Sequence, residues 1–262
     1  MPKLNVFIDG SWLFKACAPE RALSYKLEHP ERAFYIDFSK LSASLLEHAK
    51  QYASSCSEIG DLFLSTSIFN LPDNLDDWPN ERENISTSDI DNIKRNTRAR
   101  DEFAQRAIDA GFSDKAIFRP MLKGWMLENI KEHRFQEKQV DTTVVALLVK
   151  YAITSPDDVH AIITGDSDIL PAIKVAYPEY SKNVFVVTIH PDQLTSESRQ
   201  TSFTLTDFDY DIPPFYLEKN AEKILKGDYV YSCAHCSRIF SRTKAIPSGN
   251  NPCCYPCHKK RN

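Results

Sequence analysis

Apolar and polar positions alternate in two different rhythms along this chain, and the rhythms take turns. Residues 3–10, KLNVFIDG, form a short apolar run that ends in Asp-Gly and predicts a strand. In FYIDFSKLSASLLEHAKQYA, Leu41, Leu45, Leu46 and Ala49 recur at helical spacing behind a Ser39 cap. GDLFLSTSIFN, residues 60–70, alternates as a strand does. Residues 71–92 are polar, carry two prolines and show no period, which predicts a long loop or insertion. An amphipathic helix over 97–112 then stops at Gly111, followed by a strand in KAIFRPML and a largely apolar helix in KQVDTTVVALLVKYAI. DVHAIITG predicts a strand, DILPAIKVAY a helix and KNVFVVTI another strand.

Strands that are apolar throughout and alternate with helices imply a mainly parallel sheet covered on both faces, an α/β fold. The segment FTLTDFDYDIPPFYL closes this unit, with Pro213-Pro214 as its boundary, so the expected division is 1–212 and 219–262. A hydrophobic content of 42% supplies an ordinary core. No run approaches the roughly 18 apolar residues of a membrane helix. The first ten residues read as a strand and not as a signal peptide, so the expected compartment is the cytoplasm.

Charge changes the picture at the C-terminal end. From Lys219 onward nine Lys/Arg stand against two acids, about +7, while the rest of the chain is about −11, summing to the net −4. A basic tail on an acidic body predicts an electrostatic contact with nucleic acid, or else a solvated terminus. Five of the seven cysteines also fall here. Cys233-x2-Cys236 and Cys254-x2-Cys257 are separated by 17 residues, the ribbon-type spacing that gives four thiolates to Zn²⁺. Cys253, His235 and His258 are alternative ligands. Arg238, Phe240, Arg242 and Lys244 between the knuckles, with Lys259, Lys260 and Arg261 after them, could grip phosphates and stack a base. The alternative is a structural clip that docks a protein partner or a second copy. Cys17 and Cys56 are scattered, as in a reducing compartment.

The candidate chemistry of the larger unit lies in its aspartates. Ligand crevices of open parallel sheets lie beyond the carboxyl ends of the strands. Asp9 follows one strand there, and Asp166 and Asp168 follow another. Asp141 shares a helical face with Val145 and Leu148, which puts a carboxylate at the top of a surface that should pack on the sheet. Carboxylates crowded to about 4 Å repel by roughly 4 kcal/mol per pair at an effective dielectric near 20. Mg²⁺ or Mn²⁺, hard cations that prefer oxygen ligands, would turn that repulsion into attraction and support phosphodiester hydrolysis. Taken singly, Asp168 reads equally as a helix cap, Asp9-Gly10 as a turn and Asp141 as a first-turn acid.

NVFIDGSWL, KQVDTTVVALLVKYA and DVHAIITGDSDILPAIK, in that order and spacing over residues 1–210, resemble the NYN domain, a branch of the PIN-like nuclease superfamily. FAQRAIDAGFSDKAIFRP is similar to the family's helix-Gly-strand element. The resemblance implies a PIN-like three-layer α/β/α fold and metal-dependent endonucleolytic cleavage of RNA. By position, Asp9, Asp141, Asp166 and Asp168 match the family's acids, with Ser11 and Thr164 as candidates for polar support. The chain departs from the family pattern at Trp12, where an Asn is common, and at Leu147, where many members carry a further acid. These departures leave a rival reading, a non-catalytic binding module on the same fold. A phosphatase or a DNA nuclease using the same cluster is a third. Lys94, Arg95, Arg98, Arg100, Arg119 and Lys123 would draw a polyanion if they line the crevice, and are otherwise a solvated helix face.

Overall fold

The computed structural model describes residues 1–16, 36–132, 139–190, 211–224, 229–236, 239–242, 245–254 and 257–258. Six parallel strands form one sheet: β1 (Lys3–Asp9), β2 (Glu58–Ser67), β3 (Ile117–Phe118), β4 (Val159–Ile163), β5 (Val184–Thr188) and β6 (Phe215–Tyr216). Their order across the sheet is β3-β2-β1-β4-β5-β6. The order therefore reverses between β1 and β4, the place where an open α/β sheet leaves a crevice at its carboxyl edge.

Helices cover both faces. α6 (Gln139–Thr154) lies on one face, where Tyr151 packs against Phe7 of β1 and Phe63 of β2. α2 (Phe38–Ala49) lies on the other, where His48 packs against Phe185 of β5. The period of two explains the division. Phe7 pairs in register with Ile162 of β4, which pairs with Val186, so Phe185 points to the opposite side. β1, β4 and β5 are buried almost throughout, as expected for strands covered on two faces. The core is dominated by Phe7, Phe103, Phe185, Leu41, Leu45, Val144 and Leu148, all fully buried.

Several expectations need correction. Asp37, not Ser39, caps α2: its backbone is extended and its side chain accepts the N–H of Lys40 at 3.0 Å. Residues 71–92 are not a loop. α3 (Trp78–Glu81) and the first turns of α4 (Thr87–Asp109) occupy much of them, and Leu75, Trp78, Ile85, Ile90 and Ile93 bury a second small core. α5 (Gly124–Lys131) completes that core through Leu127. The sequence signal was present: Ser86 and Asp89 form a reciprocal capping box ahead of Ile90 and Ile93. β3 is two residues long, and Met121 adds only a single bridge to Asn70. α4 does end where expected, with Gly111 at φ 95°.

The first unit continues past the expected boundary at 212. β6 pairs with β5, and a short helix (Ala221–Ile224) follows, with Ile224 buried in the main core and its carbonyl accepting the N–H of Asp37 at 2.9 Å. Beyond it, β7 (Tyr229–Ser232) and β8 (Ile239–Arg242) form an antiparallel hairpin around the first cysteine pair. Among the described residues no helix is long and apolar enough to cross a membrane. Cys17, Arg238, Lys244, Lys259, Lys260 and Arg261 lie outside the described residues.

Candidate functional site

β1 and β4 are direct neighbours, in register from Leu4↔Val159 to Ile8↔Ile163. Asp9 at the end of β1 therefore sits beside Thr164, and the TGDSD turn begins at the same sheet edge. Asp9 is only 1% exposed. Its Oδ1 accepts the backbone N–H of Trp12 at 2.9 Å and its Oδ2 accepts the Thr164 hydroxyl at 3.1 Å. Thr164 Oγ1 in turn accepts the backbone N–H of Asp166 at 3.1 Å, so one hydroxyl ties the first acid to the second acidic turn.

Burial pushes the Asp9 carboxyl up to about 6 from its ordinary 3.8. The Trp12 bond opposes this, the field of Asp141 adds to it, the Thr164 bond opposes it and the field of Asp166 adds again. Three acids remote in sequence therefore interact at one place, the switch point of the sheet. Asp141 reaches it from the first turn of α6, half-buried as its helical face predicts. Asp168 is exposed. It does not cap the helix before Ile169. Asp166 takes that role, its Oδ1 accepting the N–H of Asp168 at 3.1 Å.

The carboxylates remain more loosely set than a closed metal cage. Among the described residues, only the cysteines bring three or more ligand atoms within 4.8 Å of one another. A looser acidic set suits Mg²⁺, which retains several waters and takes only one or two carboxylates directly. A carboxyl raised by burial, and further by its acidic neighbours, is a ligand whose charged form a bound cation would stabilise.

Trp12, which the sequence offers only as a departure, has a structural part. Its indole lies on Gly165 so closely that a Cβ there would stand 2.7 Å from Cζ2. Gly10 is as tightly placed against backbone, since its Cβ would stand 2.7 Å from the Ser65 carbonyl oxygen. Both glycines of IDG and TGD thus permit close approach around the acids. Leu147 packs partly buried against the main core, and Ser11 is half-buried in the first turn of α1 (Gly10–Ala16).

Most of the candidate basic residues have local partners. Lys94 pairs with Asp76 at 2.6 Å, Arg98 with Glu102 at 3.1 Å and Arg119 with Asp101 at 2.7 Å, while Arg100 lies over the Phe14 ring. Arg95 donates to Asn92, and Lys123 is an exposed residue preceding α5. These contacts fit a solvated surface more than a converging polyanion cradle.

At the C-terminal end, Cys233, Cys236, Cys254 and Cys257 lie close together, an arrangement able to hold a metal ion such as zinc. Cys236 Sγ and Cys254 Sγ are 3.6 Å apart, near the roughly 3.8 Å edge of a tetrahedron built on 2.3 Å metal–sulfur bonds. Burial opposes ionisation of Cys233, but the N–H groups of Cys254, His235 and Cys236 outweigh it and hold the thiol down at about 6. Burial and the neighbouring sulfurs push Cys254 up. His235 and His258 are exposed and stand outside the cluster, as does Cys253, whose thiol lies 3.7 Å from the Cys254 carbonyl. Comparison with family models, with curated proteins and with solved structures finds no match to this chain.

Proposed function

We propose that this chain is a divalent-metal-dependent endoribonuclease of the NYN type, with a zinc-binding C-terminal module. The observation that carries this reading is the buried Asp9 at the switch point, its carboxyl raised first by burial and further by the fields of Asp141 and Asp166. A buried carboxyl with two further acids in its field is costly for stability alone, and a perturbed carboxyl at a strand-end crevice is a usual signature of chemistry. The resemblance of the three motifs to the NYN domain supplies the substrate class.

Mg²⁺ or Mn²⁺, when bound, neutralises phosphoryl charge and supplies a hydroxide equivalent from its water. Asp9 and Asp166 are the residues that would hold it directly. Asp141 and Asp168 complete the acidic shell or accept a proton from the attacking water. Thr164 keeps the Asp9 carboxylate oriented, and the Gly165–Trp12 contact fixes the turn that carries Asp166. The cysteine module would bind Zn²⁺ and present its basic residues to the nucleic acid.

Leu147, packed against the main core where many NYN members carry a further acid, favours a second reading, a binding module that uses the zinc-bearing tail and takes up no Mg²⁺. Incubation of the purified protein with labelled RNA and Mg²⁺ or Mn²⁺ tests the first. Cleavage by the wild type and its loss in Asp9→Asn and Asp166→Asn are expected. No cleavage, or undiminished cleavage by Asp166→Asn, overturns it.

A further inference from the structure

Three adjacent strands end side by side at the carboxyl edge, and each delivers one polar side chain there. Asp9 of β1 has Thr164, just past β4, on one flank and Ser65 of β2, its register partner, on the other. Asp9 and Ser65 project to the same face. Two residues earlier, Phe7 and Phe63 stack at 6.0 Å with planes 6° apart, and both rings contact Tyr151 of α6. The period of two carries that shared orientation on to Asp9 and Ser65. Asp141, in the first turn of α6, belongs to the same layer.

The two flanking hydroxyls differ in one respect. Thr164 donates to Asp9, whereas Ser65, 1% exposed, has no hydrogen-bond partner for its Oγ among the described residues. Asp9 makes no hydrogen bond to it: the bonds its two oxygens accept come from the Trp12 N–H and the Thr164 hydroxyl. Ser67, two residues on and on the same face, repeats the pattern with a buried, unpartnered Oγ. Thr66 between them is also unpartnered but points into the opposite layer. A buried hydroxyl without a partner costs about 1–3 kcal/mol, and a chain that needed only a filler here could use alanine.

We propose that Ser65 is a positioning residue of the acidic site, its hydroxyl holding a water of a hydrated divalent cation bound at Asp9. The inference rests on the divalent-cation reading above. Hydrated Mg²⁺ or Mn²⁺ presents water protons to surrounding acceptors, and a hydroxyl beside the inner carboxylate is placed to take one.

Mn²⁺ titration of the full chain, followed by the electron paramagnetic resonance signal of the free ion, tests it. Wild type, Asp9→Asn, Ser65→Ala and Ser65→Cys are compared, with melting temperatures measured in chelator. Ser65→Ala should bind Mn²⁺ about tenfold more weakly, the scale of outer-shell substitutions at metal sites. It should melt in chelator no lower than the wild type, since it removes an unsatisfied group. Ser65→Cys, which keeps the volume but is a poorer partner for water, should fall between them. Affinity of Ser65→Ala within twofold of wild type, with binding abolished in Asp9→Asn, overturns the role of Ser65 and leaves the metal site standing. A lower melting temperature in chelator with unchanged affinity makes Ser65 structural and equally overturns it. Absence of Mn²⁺ binding by the wild type overturns both readings.

Discussion

The Thr164 hydroxyl donates to Oδ2 of Asp9 at 3.1 Å across the junction of β4 and β1. Thr164 Oγ1 also accepts the Asp166 N–H, so a single side chain sets the distance between two acidic segments. Replacing it tests how much of the site's order depends on that link. Thr164→Val keeps the shape and removes the hydroxyl. A loss of about 1–3 kcal/mol is expected at pH 8, where the Asp9 acceptor is charged. At pH 4 the loss should shrink, because a neutral carboxyl makes a weaker acceptor. Urea midpoints at the two pH values check this, and Thr164→Ser should restore the wild-type value.

Asp9 gives the protein a definite pH dependence. Its folded pKa of about 6 lies above the ordinary 3.8, so between these values the folded state holds more protons than the unfolded one. Its contribution to stability is therefore present below about pH 4 and is lost as pH rises towards 6 and beyond. At about 1.4 kcal/mol for each pH unit of difference, the loss is on the order of 3 kcal/mol. In chelator, Asp9→Asn should lack this dependence and melt above the wild type at pH 8. Added Mn²⁺ should raise the wild-type melting temperature at that pH and leave the variant unchanged. Thermal denaturation across pH 4–8 with and without metal reads both effects.

Gly165 and Trp12 should behave as a coupled pair. An added Cβ at Gly165 meets the indole, and the neighbour can yield only by moving the ring. Gly165→Ala should cost about 1–3 kcal/mol. In the Trp12→Ala background the same change should cost markedly less, a coupling that a double-mutant cycle measures from chemical denaturation. Gly10→Ala meets backbone at the Ser65 carbonyl oxygen and should find no such rescue.

The cysteine module should depend on metal for its order. Its buried cluster consists of Cys233 and Cys254 with Tyr231, Ile246 and Cys257 packed against them, too little apolar surface to fold alone. One equivalent of zinc is expected per chain. Its removal by chelation should release amide protection over 229–258 while β1, β4 and β5 stay protected. Hydrogen exchange with and without chelator, together with zinc analysis of Cys233→Ser and Cys254→Ser, checks the outcome.

The second small core should yield locally. Trp78 is 6% exposed, with the Arg82 guanidinium over its ring at 5.5 Å. Trp78→Ala should cost about 3–5 kcal/mol of the stability of residues 69–93, seen as faster amide exchange there. The sheet strands and the cysteine hairpin should retain their exchange rates.

Much of this protein was legible in one dimension because its signals are local. Short, mostly apolar runs alternating with helical patterns marked β1, β4 and β5 as strands covered on both faces, and with them the α/β class. Cysteine spacing marked the four sulfurs that lie together, because each knuckle closes over two intervening residues. What pattern could not decide was adjacency. Strand order depends on crossover connections and on packing between layers, so only the tertiary structure places β1 beside β4 and Ser65 beside Asp9. The same holds for residues 71–92, whose few apolar side chains become a core only when α4 and α5 bring them together. Burial of the Asp9 charge and the closeness of Trp12 to Gly165 are likewise consequences of segments distant in sequence meeting, where no local periodicity records the contact.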